Sequence, residues 1–461
     1  MTEFQKLSCG IPGLDEILGG FATPSTVLVA GTAGVGKTTM SLHILSNATK
    51  NGEKTLYVPI TTESSEKFQD YVSTLKFYDD SIEIHEINRQ NAEKDPLSTL
   101  IDIGNVVSSA NPDRIVIDPV TPLGFGFVEQ EKRRFFYTLD SMIQEWNALV
   151  IITGELFEDE IHKTVISHLA DGIIYLFREE VGFRTDNYLK IIKMRGIDPQ
   201  IKSNYSSQKF HYDVSSEGFK IYPRLKPDEN TEFEDTKIES GIKGFDPMLG
   251  DGIPKASSIL IEGEPGTGKS IFSLQYIMKG LINGEPCIIV TYEEIPQQII
   301  LEASKFGWDL QSYIDEGLLK FIYTNPVDVH PAKHESFIKS NVEEMGAKRI
   351  VFDGIVNMEM TIQDPIKLRG HFQAVINYLK SKNVTSVFTT EILPGKEEIT
   401  TSHDASFIMD VVVVMEYSKS TEQIKNNLHI MKSRRTSHDP RLKEYQITDS
   451  GIEILNDSEN N

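Results

Sequence analysis

The same unit is written twice in this chain, and no other feature of the sequence constrains its fold as strongly. GIPGLDEILGG beginning at Gly10 returns as GIKGFDPMLGD at Gly241, and VLVAGTAGVGKT at Val27 returns as ILIEGEPGTGKS at Ile259. The spacing between copies moves only from 231 to 232. Further along, NGEKTLYV at Asn51 matches NGEPCIIV at Asn283, RIVIDPV at Arg114 matches RIVFDGI at Arg349, and KMRG at Lys193 matches KSRR at Lys432. Order kept over this length, with the offset drifting only from 231 to 239, means one structural unit repeated, not a shared motif. A segment rich in Pro and acidic residues begins at Pro223 and reads as the connection between the copies. The expected domains are 1–228 and 229–461.

Within each copy, short β-branched runs such as Thr26 to Ala30, Leu56 to Val58, Ile115 to Ile117 and Leu149 to Ile152 alternate with stretches of helical period. Short buried strands separated by helices predict an α/β fold, each copy built on a central, mostly parallel sheet covered on both faces. Gly172 to Phe177 followed by Tyr188 to Met194 predicts a β-hairpin at the end of the first copy. Apolar residues at 39% and charged residues at 25% suffice for two packed domains.

Each copy carries one match to GxxxxGK[ST], placed after an apolar strand and before a helix. In the first, the loop is Gly31, Thr32, Ala33, Gly34, Val35, Gly36, Lys37 and Thr38, with Thr39 following; in the second it is Gly263, Glu264, Pro265, Gly266, Thr267, Gly268, Lys269 and Ser270, with Ile271 following. The glycines let backbone N–H groups turn toward phosphate oxygens, and the helix N-terminus adds positive potential. The lysine reaches the β- and γ-phosphates, and the Thr38 or Ser270 hydroxyl ligates Mg²⁺. Two ATP·Mg²⁺ sites are therefore expected. Asp118 and Asp353, each closing an apolar strand, are the expected carboxylates for the magnesium.

The copies differ where hydrolysis would be decided. In the second, the strand from Ile288 ends in Glu293-Glu294, paired carboxylates able to orient and deprotonate an attacking water. The ungapped spacing of 232 puts Thr61 and Thr62 at those positions in the first copy, with Glu63 one residue late. The expectation is an active second site and a first site that binds ATP and turns it over slowly or not at all.

The tandem GIPGLDEILGG and P-loop signatures, the TYEE strand end and KMRG resemble the KaiC family over nearly the whole chain. That resemblance implies two tandem RecA-like P-loop NTPase domains, stacked as two rings of a homo-hexamer with ATP between subunits. It implies that Lys193 and Arg195, and Lys432 and Arg434, reach the neighbouring subunit's γ-phosphate, where a cation stabilises the transferring phosphoryl group. It also places Ser406 on a serine that the family autophosphorylates, with Phe407 where the accompanying threonine would stand, which argues against a two-site phosphorylation cycle. The sequence ends GIEILNDSENN, short and acidic where the clock proteins carry a longer regulatory tail. Control by clock partners is thus not expected to carry over, and a regulatory protein partner is left unidentified.

Other observations bound the function. A net charge of −22, from 46 basic and 68 acidic residues, argues against nucleic-acid binding, and the run Lys132-Arg133-Arg134 reads as a solvated helix face. Cys9 and Cys287 lie far apart without a CxxC partner, so neither a disulfide framework nor a zinc site is expected. The N-terminus lacks the apolar core of a signal peptide and the longest apolar runs are strand-length, so a cytoplasmic protein without membrane attachment is expected. A RecA-like DNA-dependent ATPase and a protein kinase acting in trans are the alternatives; the usual kinase Gly-rich loop, HRD and DFG set is absent.

Overall fold

The structure, a computed structural model, describes residues 5–62, 64–124, 127–181, 184–197, 208–228, 231–232, 234–325, 330–358, 362, 364–392, 405–419 and 424–455. The chain divides into two compact units, Met1–Pro223 and Arg224–Asn461.

In the first unit the strand leading to the P-loop, Ser25–Gly31, lies in the middle of a ten-stranded sheet. On one side it pairs in parallel with Leu149–Glu155, followed by Arg114–Asp118 and Thr55–Thr61; on the other it pairs in parallel with Gly172–Val181. There the sheet turns antiparallel through Arg184–Met194, Lys209–Ser215 and Gly218–Tyr222. Alternation along the central strand sorts the core: Val27 and Val29 face one hydrophobic cluster, Leu28 and Ala30 another. The predicted hairpin is Gly172–Val181 with Arg184–Met194.

The second unit repeats this plan around Ser258–Gly263, with Thr385–Glu391, Arg349–Asp353, Cys287–Thr291 and Leu319–Tyr323 on one side. On the other side stand Val411–Lys419, Ile424–Ser433, Lys443–Thr448 and Gly451–Ile454. Both units are thus α/β with mostly parallel central sheets, as the run pattern predicts.

The repeated NGE and RIV motifs meet as an ion pair between a buried arginine and a half-buried glutamate. Arg114 is bonded to Glu53 at 2.7 and 2.6 Å and to the Ser8 carbonyl at 2.8 Å. Arg349 repeats this with Glu285 at 2.5 Å and the Glu239 carbonyl at 2.9 Å. Each arginine sits at the start of its strand and fastens the chain that leads into the unit. Cys9 and Cys287 are buried free thiols, and Arg133 and Arg134 are exposed on the helix Glu129–Glu145. Among the described residues, no helix is long and apolar enough to cross a membrane.

Candidate nucleotide sites

Each P-loop joins the carboxyl end of its central strand to a helix of 14 residues, Lys37–Lys50 or Lys269–Ile282. Gly34 and Gly36, and Gly266 and Gly268, hold φ between 76° and 95°, the left-handed region that lets successive N–H groups face one hollow. Lys37 Nζ donates to the carbonyls of Gly31 and Thr32 at 2.9 and 2.8 Å, and Lys269 Nζ to those of Gly263 and Glu264 at 3.0 Å each. Burial lowers both ammonium groups from the usual lysine range, against the pull of Glu155 and Asp118 in the first site and of Glu391, Asp353 and Glu293 in the second. A desolvated ammonium at the end of a helix start is arranged to receive phosphate charge.

The strand-end aspartates adjoin the hydroxyls singled out with them. Thr38 Oγ1 donates to Asp118 Oδ2 at 2.7 Å, and Ser270 Oγ to Asp353 Oδ1 at 3.4 Å. Thr153 also donates to Asp118, and its counterpart Thr389 donates to Asp353 at 2.5 Å. Desolvation raises Asp353 above the ordinary carboxylate range, opposed by the hydrogen bonds from Thr389 and Ser270. Among the described residues no group of three or more His, Cys, Asp or Glu forms a self-sufficient metal site. An oxygen-only pair of one hydroxyl and one carboxylate suits a cation that keeps waters and phosphate oxygens as its other ligands, as Mg²⁺ does.

In the second unit a pocket of about 230 Å³ is lined by Gly266, Lys269, Ser270, Glu293, Asp353 and Glu391, among others. Glu293 Oε1 accepts from Asn357 Nδ2 at 2.7 Å. It comes close to Gly354, where a Cβ would stand 2.7 Å from the same oxygen, so only glycine leaves the carboxylate its place. Desolvation raises Glu293 and Glu294 above the usual range, and neighbouring carboxylates, Asp353 among them, add to this. The two glutamates part company in space. Glu294 lines an adjoining, narrower cavity of about 10 Å³ together with Glu302, Ile289, Ser270 and Asp353.

The first unit builds this corner differently. Pro59 stands opposite Asp118 as Thr291 stands opposite Asp353, a spacing of 232, yet the next helices begin at Ser65 and Pro296, a spacing of 231. The first unit therefore has one more residue between strand and helix. Counted from the strand, Thr61 matches Glu293; counted from the helix, Thr62 does. Glu63 lies outside the described residues. Pro119 occupies the place of Gly354, and Tyr57, at the position of Ile289, donates to Asp118 at 2.9 Å.

Lys193, Arg195, Lys432 and Arg434 lie away from the P-loops of their own units. Arg195 is paired with Asp171 at 2.9 Å, and Asp171 binds the backbone of Thr26, where the P-loop strand begins. Five residue steps along the strand, about 16 Å, take the chain from Thr26 to Gly31. Lys193 Nζ donates to the Ala170 carbonyl, and Lys432 Nζ to the Ser406 carbonyl at 2.7 Å. Arg434 donates to the Phe407 carbonyl. Ser406, partly exposed in the short helix Ala405–Ile408, thus belongs to this far-end cluster.

Sequence reasoning missed three features of the sites. Glu155 and Glu391 stand directly opposite Gly31 and Gly263 in the register, and Glu391 approaches Lys269 at 3.9 Å. Thr153 and Thr389 hold the strand-end aspartates, as described. Tyr212 donates to the Val35 carbonyl at 2.6 Å and Tyr445 to that of Thr267, fastening each loop from the antiparallel end of the sheet. The matching TGE and TTE strand ends were a usable signal for the first two; the tyrosines had none.

A sequence profile of the family described as "ATPase: KaiC" matches residues 7–226 and again 238–459. The chain is 28% identical to Circadian clock protein KaiC2 of Synechocystis sp. over 98% of its own length and 81% of that protein's. It is 26% identical to Circadian clock oscillator protein KaiC of Prochlorococcus marinus, covering 98% of this chain and 93% of that one. For the KaiC of Nostoc sp. the identity is 27%, over 98% and 89% of the two chains.

Proposed function

The chain belongs to the KaiC ATPase family, and from that premise we propose that it is an ATP-driven homo-oligomer in which the second unit hydrolyses nucleotide and the first retains it. Thr38 with Asp118, and Ser270 with Asp353, would hold Mg²⁺ beside the phosphates. When bound, the ion polarises phosphoryl oxygens and offsets their charge. The P-loop N–H groups and Lys269 orient the γ-phosphate. Glu293, raised above the usual carboxylate range by desolvation and fixed by Asn357, takes the proton of the attacking water. Glu294 stands behind Asp353 as a positioning group.

The observation that carries this division of labour is Glu293 in the pocket beside Lys269, against threonine at either matching position of the first unit. The remoteness of Lys193, Arg195, Lys432 and Arg434 from their own P-loops supports their action on a neighbouring subunit, in a hexameric ring with ATP at each interface. Ser406, whose carbonyl holds Lys432, would then lie beside the same neighbour's γ-phosphate. Its hydroxyl oxygen would attack that phosphorus as the bond from phosphorus to the ADP oxygen breaks, the hydroxyl proton passing to solvent, which leaves ADP and phosphorylated Ser406. The protein acts in the cytoplasm on an unidentified regulatory partner; the excess of acidic charge speaks against DNA.

The test is steady-state turnover of a Glu293→Gln chain with bound nucleotide assayed in parallel. A fall of about 100-fold or more, typical for loss of a general base, with nucleotide retained in both units, is expected. Turnover close to wild type would reverse the roles of the two units.

A further inference from the structure

Behind Glu293 the second unit buries a continuous chain of polar side chains that the reaction described so far does not use. Tyr292 Oη lies 3.0 Å from His334 Nε2, His334 Nδ1 lies 3.2 Å from His371 Nε2, and His371 Nδ1 lies 2.9 Å from Glu335 Oε1. The second oxygen of Glu335 accepts the Leu225 N–H at 3.2 Å. Tyr292, His334, His371 and Glu335 are between 2% and 7% exposed.

Donor counting gives the chain one direction. The Leu225 N–H needs an acceptor, which a carboxylate at Glu335 supplies; His371 Nδ1–H then donates to Glu335, His334 Nδ1–H to His371, and the Tyr292 hydroxyl to His334. Reversed, the chain would end with the Tyr292 proton lacking an acceptor among the described residues. Burial, and then the neighbouring His371, holds His334 well below the usual histidine range, which keeps it neutral as this order requires.

Tyr292 occupies the critical position. Its N–H donates to the Asp353 carbonyl at 3.3 Å and its next residue is Glu293, so it is the backbone link between the proposed metal carboxylate and the proposed base. The first unit has the same helices at the matching places, Pro96–Ala110 for Pro331–Met345 and Glu129–Glu145 for Pro365–Ser381. There Ile60, Thr99, Phe135 and Leu100 stand for Tyr292, His334, His371 and Glu335, all buried. The fold is therefore completed without the polar chain in one copy. A buried network is costly unless every member is satisfied, and it occurs in the copy that carries Glu293.

We propose that Tyr292, His334, His371 and Glu335 are positioning residues for Glu293, a hydrogen-bonded brace that fixes the strand end at Tyr292 and is anchored at Leu225, in the segment by which the chain enters the second unit. This rests on Glu293 as the base. The brace acts through the placement of Glu293, so its loss lowers kcat and leaves nucleotide affinity alone.

The experiment compares the full chain with Tyr292→Phe, with Glu293→Gln, with both together, and with the first unit's own set (Tyr292→Ile, His334→Thr, Glu335→Leu, His371→Phe), which removes the whole side-chain network and leaves only the Leu225 N–H without its acceptor. Tyr292→Phe and the fourfold variant are expected to lower kcat about tenfold or more with KM and bound nucleotide within twofold of wild type. Tyr292→Phe is expected to add nothing in the Glu293→Gln background. If Glu293→Gln abolishes turnover while Tyr292→Phe and the fourfold variant stay within twofold of wild-type kcat, the brace is overturned and the base stands. A Tyr292→Phe effect of equal size in both backgrounds would also overturn it, as damage to folding alone. Undiminished turnover in Glu293→Gln would overturn the reading on which it rests.

Discussion

The two units share a sheet order, a phosphate loop, a tyrosine that fastens the loop and a buried Glu–Arg pair, yet they diverge around one strand end. In the second unit Glu293, Glu294, Glu302, Asp353 and Glu391 gather around Ser270 and Lys269. In the first, Asp118 is held by Thr38, Tyr57 and Thr153, and Tyr71 bonds to Thr39 at 2.7 Å. What the copies keep is what grips phosphate; what they vary is what would move a proton. On the proposed function, a duplicated scaffold would thus separate retention of a nucleotide from its consumption without altering the fold.

The sharpest way to test what is shared is to break it in both places. Replacing Arg114 or Arg349 with Met leaves the half-buried Glu53 or Glu285 without its partner, together with the Ser8 carbonyl in the first unit and the Glu239 and Tyr276 carbonyls in the second, a loss of about 2 to 3 kcal/mol. Two-transition denaturation should show the first unit weakened by Arg114→Met and the second by Arg349→Met, to a similar degree. A large effect in one unit only would mean that the repeated motif serves different ends.

The next effect should be confined to the second unit. Glu262 is fully buried, neither carboxyl oxygen has a hydrogen-bond partner among the described residues, and desolvation pushes it up to about 7, whereas the matching residue of the first unit is Ala30. An unfolded glutamate titrates near 4.3, so between about pH 4.3 and 7 the folded chain keeps a proton that the unfolded chain releases. Stability is therefore greatest below that window, falls as pH rises through it, and is level above it. Glu262→Gln should remove this slope, gaining roughly 2 kcal/mol on wild type between pH 5 and 8. Parallel pH profiles for the two proteins would contradict it.

A smaller effect separates Gly354 from Pro119. A Cβ at Gly354 crowds the Glu293 oxygen, and its φ of 78° disfavours any side chain. Gly354→Ala should lower turnover about tenfold, some 1.4 kcal/mol, with nucleotide retained, while Pro119→Ala leaves turnover unchanged. Equal losses would end the distinction between the sites. The smallest expected effect is none: Thr61→Glu, tested in the Glu293→Gln background, should restore no turnover. Recovery there would mean that a carboxylate alone makes the site.

Much of this was legible in the sequence because it is local or repeated. The P-loops, the strand-end aspartates and the hairpin follow from residue types at fixed offsets. The extra residue before Ser65 was not legible, because the NGE match aligns without a gap and the change of spacing is absorbed past the strand, where no motif marks it. Adjacent letters also hid the parting of Glu293 and Glu294, since neighbours at an irregular strand end face different cavities. The buried histidines were invisible for another reason: His334 and His371 come from different helices, and only packing makes them one chain.

The longer connection in the first unit also bears on how such a pair of sites evolves. A base substitution can exchange Thr61 or Pro119 for another residue, but it cannot shorten the chain between Pro59 and Ser65. Recovering the other copy's geometry takes an in-frame deletion together with several exchanges, none of which helps by itself. On the proposed division of labour, that difference in length keeps single substitutions from turning one site into the other.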